Sequence, residues 1–355
     1  MIDFRYHLVS IVAVFLALAV GIVVGVTELQ PGVVRSLRAL STHEKRQIDS
    51  LLAEQRALKQ QASSDQVFAQ TEASRLLAGL LTGQDVVIVA APGADNQTIS
   101  GVSTVLQQAG AKITGQVTLQ PLFFDTSATT EGGLSGLAQQ LAPAGLDLGS
   151  QTADPKITGQ QAAAQVIAAA VITGNGRVWS AAQSQRILSG FGRQGYLQVS
   201  GAAGAGGSTL SGPATLAVVI IPATPPTSVT SPANLALVAV AQQLRTAGHG
   251  TVVAGSLQGS GAGSAIDEIL STAATQLSTV DNADTEIGQI TVGLALRNLM
   301  DGKKPASYGV TPGIFPSPAP SSAAVAADPA TATPAPSASA HKAAAKRARP
   351  HGSSR

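Results

Sequence analysis

The residues able to do chemistry in this chain are few and far apart. Its five histidines are His7, His43, His249, His341 and His351, and none has a second donor at metal-ligand spacing. Cysteine is absent, which excludes disulfides, thiolate metal sites, iron–sulfur clusters and cysteine nucleophiles, and agrees with an extracytoplasmic chain. No H-E-x-x-H, G-x-S-x-G or phosphate-loop G-K-[ST] occurs, so no metalloprotease, serine hydrolase or nucleotide-hydrolase chemistry is signalled. The expectation is a protein without an evident cofactor and without catalysis.

Three polar loops and a weaker glycine-rich stretch remain. Asp281-Asn282-Ala283-Asp284-Thr285 stands between an apolar run and an amphipathic one. Its two carboxylates could hold a hard cation or a polar ligand; alternatively Asp284 or Thr285 caps the following helix and Asp281 orders the turn. Gly259-Ser260-Gly261-Ala262-Gly263-Ser264 follows a strand and opens a helix as phosphate loops do, yet it lacks the third glycine of G-x-G-x-x-G and reads as a flexible loop. Gly93-Ala94-Asp95-Asn96 is a turn and cap before it is a site. Gly201 to Gly207 has no helix after it to receive a phosphate.

These loops sit where a parallel α/β sheet would present them, at the carboxyl ends of strands. From Gly83 the chain alternates short β-rich runs with helical ones: strands at Asp85 to Ala90, Lys112 to Leu119, Thr215 to Ile221, Thr251 to Ala254 and Leu277 to Val280. Helices fall at Gln97 to Ala109, Pro232 to Thr246 behind a Ser231 cap, Ser264 to Ala274 and Thr285 to Met300. The middle, Gly133 to Gly207, reads as helices and loops with one strand near Arg177 to Ser180 and no legible strand order. The fold class is α/β, with a Rossmann or flavodoxin-like parallel sheet over residues 83–309.

Ahead of it, Leu8 to Val26 is an uncharged run of nineteen residues, enough to cross the roughly 30 Å of a bilayer core. A cleaved signal peptide is the competing reading, with Ala17-Leu18-Ala19 as its cleavage site. The apolar run continues past that site, and Asp3 offsets Arg5, so residues 1–27 are read as an uncleaved transmembrane anchor. Ala13, Ala17, Gly21 and Gly25 form a small-residue stripe suited to helix dimerisation. Residues 28–82 concentrate charge around Leu37, Leu40, Ile48, Leu51 and Leu58, a coiled-coil stalk whose strict heptad from Leu37 places Glu44, Gln47, Glu54 and Gln61 on the seam. A homodimer or higher oligomer is the expectation; the alternatives are a lone helix packed on its own domain and a polar seam that binds a different partner. Residues 310–355 are Pro, Ala, Ser and Thr with a basic end, a disordered tail by composition. Charged residues make up 12% of the chain and aromatic residues 3%, which leaves neither a basic face nor the stacking platforms that nucleic acid needs.

Read as a whole, MIDFRYHLVSIVAVFLALAVGIVVG, the charged helix after it, DVVIVAAPGA and STVDNADTEIGQITVGLALRNLM resemble the actinobacterial copper transporter MctB family through residues 1 to 310. The resemblance implies a mycobacterial envelope protein that lowers intracellular copper, a channel in the outer membrane, and copper as its cargo. It implies no ligand: Cu(I) favours thiolate and thioether, and the sulfur donors here are Met1 and Met300. A corynebacterial member of the family, described as partner to a membrane protein in daughter-cell separation, implies an alternative, a non-enzymatic envelope scaffold that regulates a wall hydrolase. A single apolar helix without the repeated alternating strands of a barrel favours the inner membrane. Arg35, Arg38, Lys45 and Arg46 against Arg5 would place the C-terminal side in the cytoplasm. Long domains translocate largely regardless of charge, and the resemblance implies an extracytoplasmic domain, which is the expectation adopted.

Overall fold

A computed structural model describes residues 4–148, 158–174, 179–201, 207–222, 232–260, 263–272, 276–311 and 313–316; of residues 4, 5 and 26–42 it describes the backbone alone. One helix, α1, runs from Phe4–Leu77, about 110 Å at 1.5 Å per residue. Pro31 lies inside it, so the segments expected as anchor and stalk lie in one helix that crosses the boundary expected at residues 27 and 28.

The α/β region follows as β1 (Asp85–Ala90), α2 (Asn96–Gln108), β2 (Lys112–Leu119), a one-turn 3-10 helix (Pro121–Phe124), α3 (Ala128–Leu141), α4 (Thr158–Val171), α5 (Ala181–Arg193), β3 (Leu197–Gly201), β4 (Leu216–Ile220), α6 (Pro232–Ala247), β5 (Gly250–Ala254), α7 (Ala265–Thr272), β6 (Ser278–Val280), α8 (Glu286–Met300) and β7 (Ser307–Tyr308). The sheet order is β3-β2-β1-β4-β5-β6-β7. All neighbours pair in parallel except β3, which runs antiparallel to β2. Without β3 and β7 the order is that of a flavodoxin-like doubly wound sheet.

The central strands are apolar throughout because both faces are covered. Val87, Val89, Ala217, Val219 and Val253 face a core closed by α3 to α7. Val86, Ile88, Leu216, Val218, Ile220 and Val252 face the opposite core, closed by α2, α8 and the end of α1 through Ala69, Ala73 and Leu77. The Ala-rich α4 is buried along nearly all its length, its small side chains admitting α3, α5 and α6 at close range.

The strand expected near Arg177 to Ser180 falls partly outside the described residues. Arg177 and Val178 lie outside the described residues, Trp179 is irregular, and Ser180 is the N-cap of α5, its hydroxyl accepting from Gln183 N with Gln183 reaching back in a capping box. The extra strand is β3, whose register pairs Leu197 with Leu119 and Gly201 with Gly115.

Candidate functional site

The doubly wound order fixes where ligands of this fold class bind, at the carboxyl edge of the sheet where the winding reverses, here between β1 and β4. Those strands run into Ala91-Pro92 and Ile221-Pro222 and border a 280 Å³ cavity with Pro121, Phe124, Leu237 and Asn234. Phosphate cradles at such a point are built from backbone N–H groups. Proline has none, so the two strand ends offer an apolar wall instead of an anion nest.

The Gly259 loop is occupied with its own structure. Gly259 N donates to the Ser256 hydroxyl at 3.1 Å and Gly263 N to Asp267 Oδ2 at 2.9 Å, while Asn234 Nδ2 donates to Gly263 O at 2.7 Å. Ser264 Oγ accepts from Asp267 N at 3.1 Å and so caps α7. Gly261 and Ala262 lie outside the described residues, as does the middle of the Gly201 to Gly207 stretch.

After β1, Asp95 is the N-cap of α2: its carboxylate accepts from Thr98 N at 2.9 Å and from Thr98 Oγ1 at 3.0 Å. The Thr98 N–H, seconded by the Thr98 hydroxyl, holds the Asp95 carboxyl below its ordinary value. Asp125, which sequence reasoning passed over, accepts from Thr130 Oγ1 at 2.7 Å and from Ser127 N and Oγ at 3.0 and 2.8 Å. These bonds, Thr130 first, lower its pKa likewise. The cap at Ser127, whose oxygen accepts from Thr130 N, is the local signal that could have found it.

The Asp281 loop resolves into separate roles. Asp281 is buried, and its two oxygens accept from Val310 N and Thr311 N at 2.8 Å each, tying β6 to the segment that leaves β7. Gly309, at φ 124°, passes so close to that carboxylate that a side chain there would overlap Asp281 Oδ1. Thr285 is the N-cap of α8: its hydroxyl accepts from Gly288 N at 3.1 Å and donates to Asn282 O at 2.8 Å. Gly288 lies against the Asn282 carbonyl, where a Cβ would collide with the backbone. Asn282 is buried, its Nδ2 3.4 Å from Thr285 Oγ1 and its Oδ1 without a partner among the described residues. Asp284 is exposed. The two carboxylates therefore do not converge, and among the described residues no three His, Cys, Asp or Glu side chains gather to hold a metal ion.

The histidines stay apart as well. His7 and His43 are exposed on α1, and His249 places Nε2 3.3 Å from Gly174 O, while His341 and His351 lie outside the described residues. Met300 packs partly buried against the core shared by α2 and α8, and Met1 lies outside the described residues. A larger cleft of 570 Å³, lined by α5 and β3 with Ser184, Gln185, Arg193 and Gln198, has no carboxylate or imidazole among its described lining residues.

What remains is α1. Tyr6–Gly25, with a mean hydropathy of 2.9, is long and apolar enough to cross a membrane and is buried by none of the described residues. Ala13, Ala17, Gly21 and Gly25 lie on it in sequence order, with open space around both glycines. In the stalk, Ile48, Leu51 and Leu58 are 56%, 59% and 60% exposed; the side chains of Leu37 and Leu40 lie outside the described residues. Gln70 Nε2 donates to Glu286 at the start of α8, and Arg297 Nη1 near its end donates to Leu80 O at 3.1 Å. α1 thus lies along α8 from the carboxyl edge of the sheet toward the amino edge, and its earlier residues extend beyond the carboxyl edge.

Comparison with known proteins matches this organisation through residue 316. Residues 1–316 match the family described as copper transport outer membrane protein, MctB. A copper transporter MctB of Mycobacterium tuberculosis is 30% identical over 314 residues, covering 87% of this chain and 96% of the relative. One of Mycobacterium leprae is 30% identical over 320 residues, with the same coverage of both chains. An N-terminal apolar helix that runs into a parallel α/β domain, matched from the first residue to the last described strand, places this chain in the copper transport outer membrane protein MctB family.

Proposed function

We propose that this protein is a non-enzymatic, single-pass envelope protein that lowers intracellular copper as part of a homo-oligomeric assembly. The observation that carries the reading is the match of residues 1–316 to the MctB family, with relatives named copper transporters along 87% of the chain. Copper is the cargo. One apolar helix cannot enclose a polar path, because each face not packed against protein meets lipid; passage through this chain requires several copies of α1 or a second membrane protein. The small-residue stripe Ala13, Ala17, Gly21 and Gly25 supports the first arrangement, since it lets helix backbones approach closely. The α/β domain is extracytoplasmic in this reading, and its described donors form no copper-holding set. The comparisons lend no support to the alternative of a scaffold regulating cell-wall hydrolysis.

The test is intracellular copper in a deletion strain grown with added copper, with and without the restored gene. Accumulation in the deletion strain, reversed by the wild-type gene, is the expected outcome. Unchanged copper in both strains would overturn the efflux role.

A further inference from the structure

The stalk of α1 carries a face that the fold leaves uncovered. Counted along an uninterrupted helix at about 100° per residue, Ile48, Leu51, Leu58 and Ala62 lie on the same side as Ala69, Ala73 and Leu77. The last three are buried under α2 and α8, with exposures of 7%, 2% and 0%; Ile48, Leu51 and Leu58 are more than half exposed. One apolar stripe is therefore covered by the chain's own domain from Ala69 onward and bare before it.

A strict heptad begun at Leu37 does not describe this stripe, because it places Gln47, Glu54 and Gln61 on the seam. Moving that seam position by one residue gives Ile48, Gln55 and Ala62 at a, with Leu51 and Leu58 at d. The b, c and f positions from Asp49 to Ser64 then hold Asp49, Ser50, Arg56, Gln60, Ser63 and Ser64 with two alanines, a solvent-compatible back. Isoleucine at a with leucine at d is the two-stranded parallel preference, and a single polar residue at a, here Gln55, fixes register. The shift also takes Glu54 off the seam to g and puts Lys59 at e, five residues on, which is the spacing at which g of one helix meets e of its parallel partner. Two identical helices would thus form Glu54 to Lys59 pairs on both sides.

We infer that residues 48–62 of α1 pair in parallel with the same residues of a second copy, in the register set by Ile48, Leu51, Gln55, Leu58 and Ala62 and by reciprocal Glu54 and Lys59 contacts. The paired segment stops before Ala69, where each chain's own domain takes over the stripe. This inference rests on the oligomeric reading above and gives it a site.

Because the chain has no cysteine, single cysteines report the register directly in the full-length protein in native membranes under mild oxidation. Leu51→Cys and Leu58→Cys are expected to give a thiol-reversible dimer. Ala53→Cys and Gln60→Cys on the back, and Ala69→Cys under the domain, are expected to give at least fivefold less. In the Leu58→Cys background, Glu54→Lys is expected to cut the dimer at least twofold and Glu54→Lys with Lys59→Glu to restore it. Equal crosslinking at Ala53 and Leu51 would overturn the register while leaving an oligomer in place. No crosslinking at any position, together with no dimer from an amine-reactive crosslinker, would overturn both.

Discussion

Thr285 decides what the Asp281 loop is for. Its hydroxyl satisfies the Gly288 N–H at 3.1 Å and holds the Asn282 carbonyl at 2.8 Å, while Asp284 beside it stays exposed. Losing an N-cap threonine costs about 1 kcal/mol, and an exposed residue away from such a feature changes stability by less than about 0.5 kcal/mol. Denaturant unfolding of the full chain in detergent should therefore show Thr285→Ala destabilised by about 1 kcal/mol and Asp284→Ala near neutral; the reverse order would make Asp284 the cap. The sequence showed that a cap or a cation belonged at this loop but not which residue would cap, since Asp and Thr are both favoured N-caps by type. The choice is made by Gly288, whose missing side chain lets the first turn of α8 seat against Asn282. Asp95 was legible because its partner Thr98 is three residues on. Gln160, which donates to the Asp125 carbonyl from 35 residues away, was not, because nothing local marks a contact made by packing α4 against the 3-10 turn.

At the scale of elements, the runs that declared themselves are those buried on both faces. DVVIVA and LAVVI are apolar at every position because a central parallel strand has no wet side. β3 escaped notice because it sits at the sheet edge, alternates buried and exposed positions, and ends at Gly201 in a glycine-rich stretch. Its place beside β2 is settled by pairing across 78 to 86 residues of chain, as Leu119 with Leu197 and Gly115 with Gly201 show. The apolar helix is the opposite case, since composition alone shows a run long and apolar enough to cross a membrane and its packing is left open. If the small-residue stripe is a helix–helix interface, then Gly21→Ile with Gly25→Ile fills the open space at both glycines and holds the backbones apart. Crosslinking of full-length protein in membranes should then fall at least twofold with expression unchanged. An undiminished yield would move the interface to another face of Tyr6–Gly25.

For the whole molecule, the side of the membrane on which the domain stands determines what it can meet. The local charge count and the family resemblance disagree here: Arg35, Arg38, Lys45 and Arg46 follow the apolar helix and Arg5 precedes it, which by the positive-inside rule holds the stalk in the cytoplasm. That rule is strongest for short loops, whereas more than 300 residues follow Gly25, and a segment of that length is carried across largely regardless of its flanking charge. The carboxyl edge, with its proline-lined cavity and the Asp281 loop, lies on the side from which α1 arrives, so it faces back along the stalk in either topology. Ser337→Cys introduces the sole thiol of the chain beyond the described fold, where it disturbs no contact that the structure defines. With the domain outside, a membrane-impermeant maleimide should label this variant in intact cells to the extent seen after lysis. Labelling confined to lysed cells would place the domain in the cytoplasm, and the copper role would then have to be exercised from that side of the membrane.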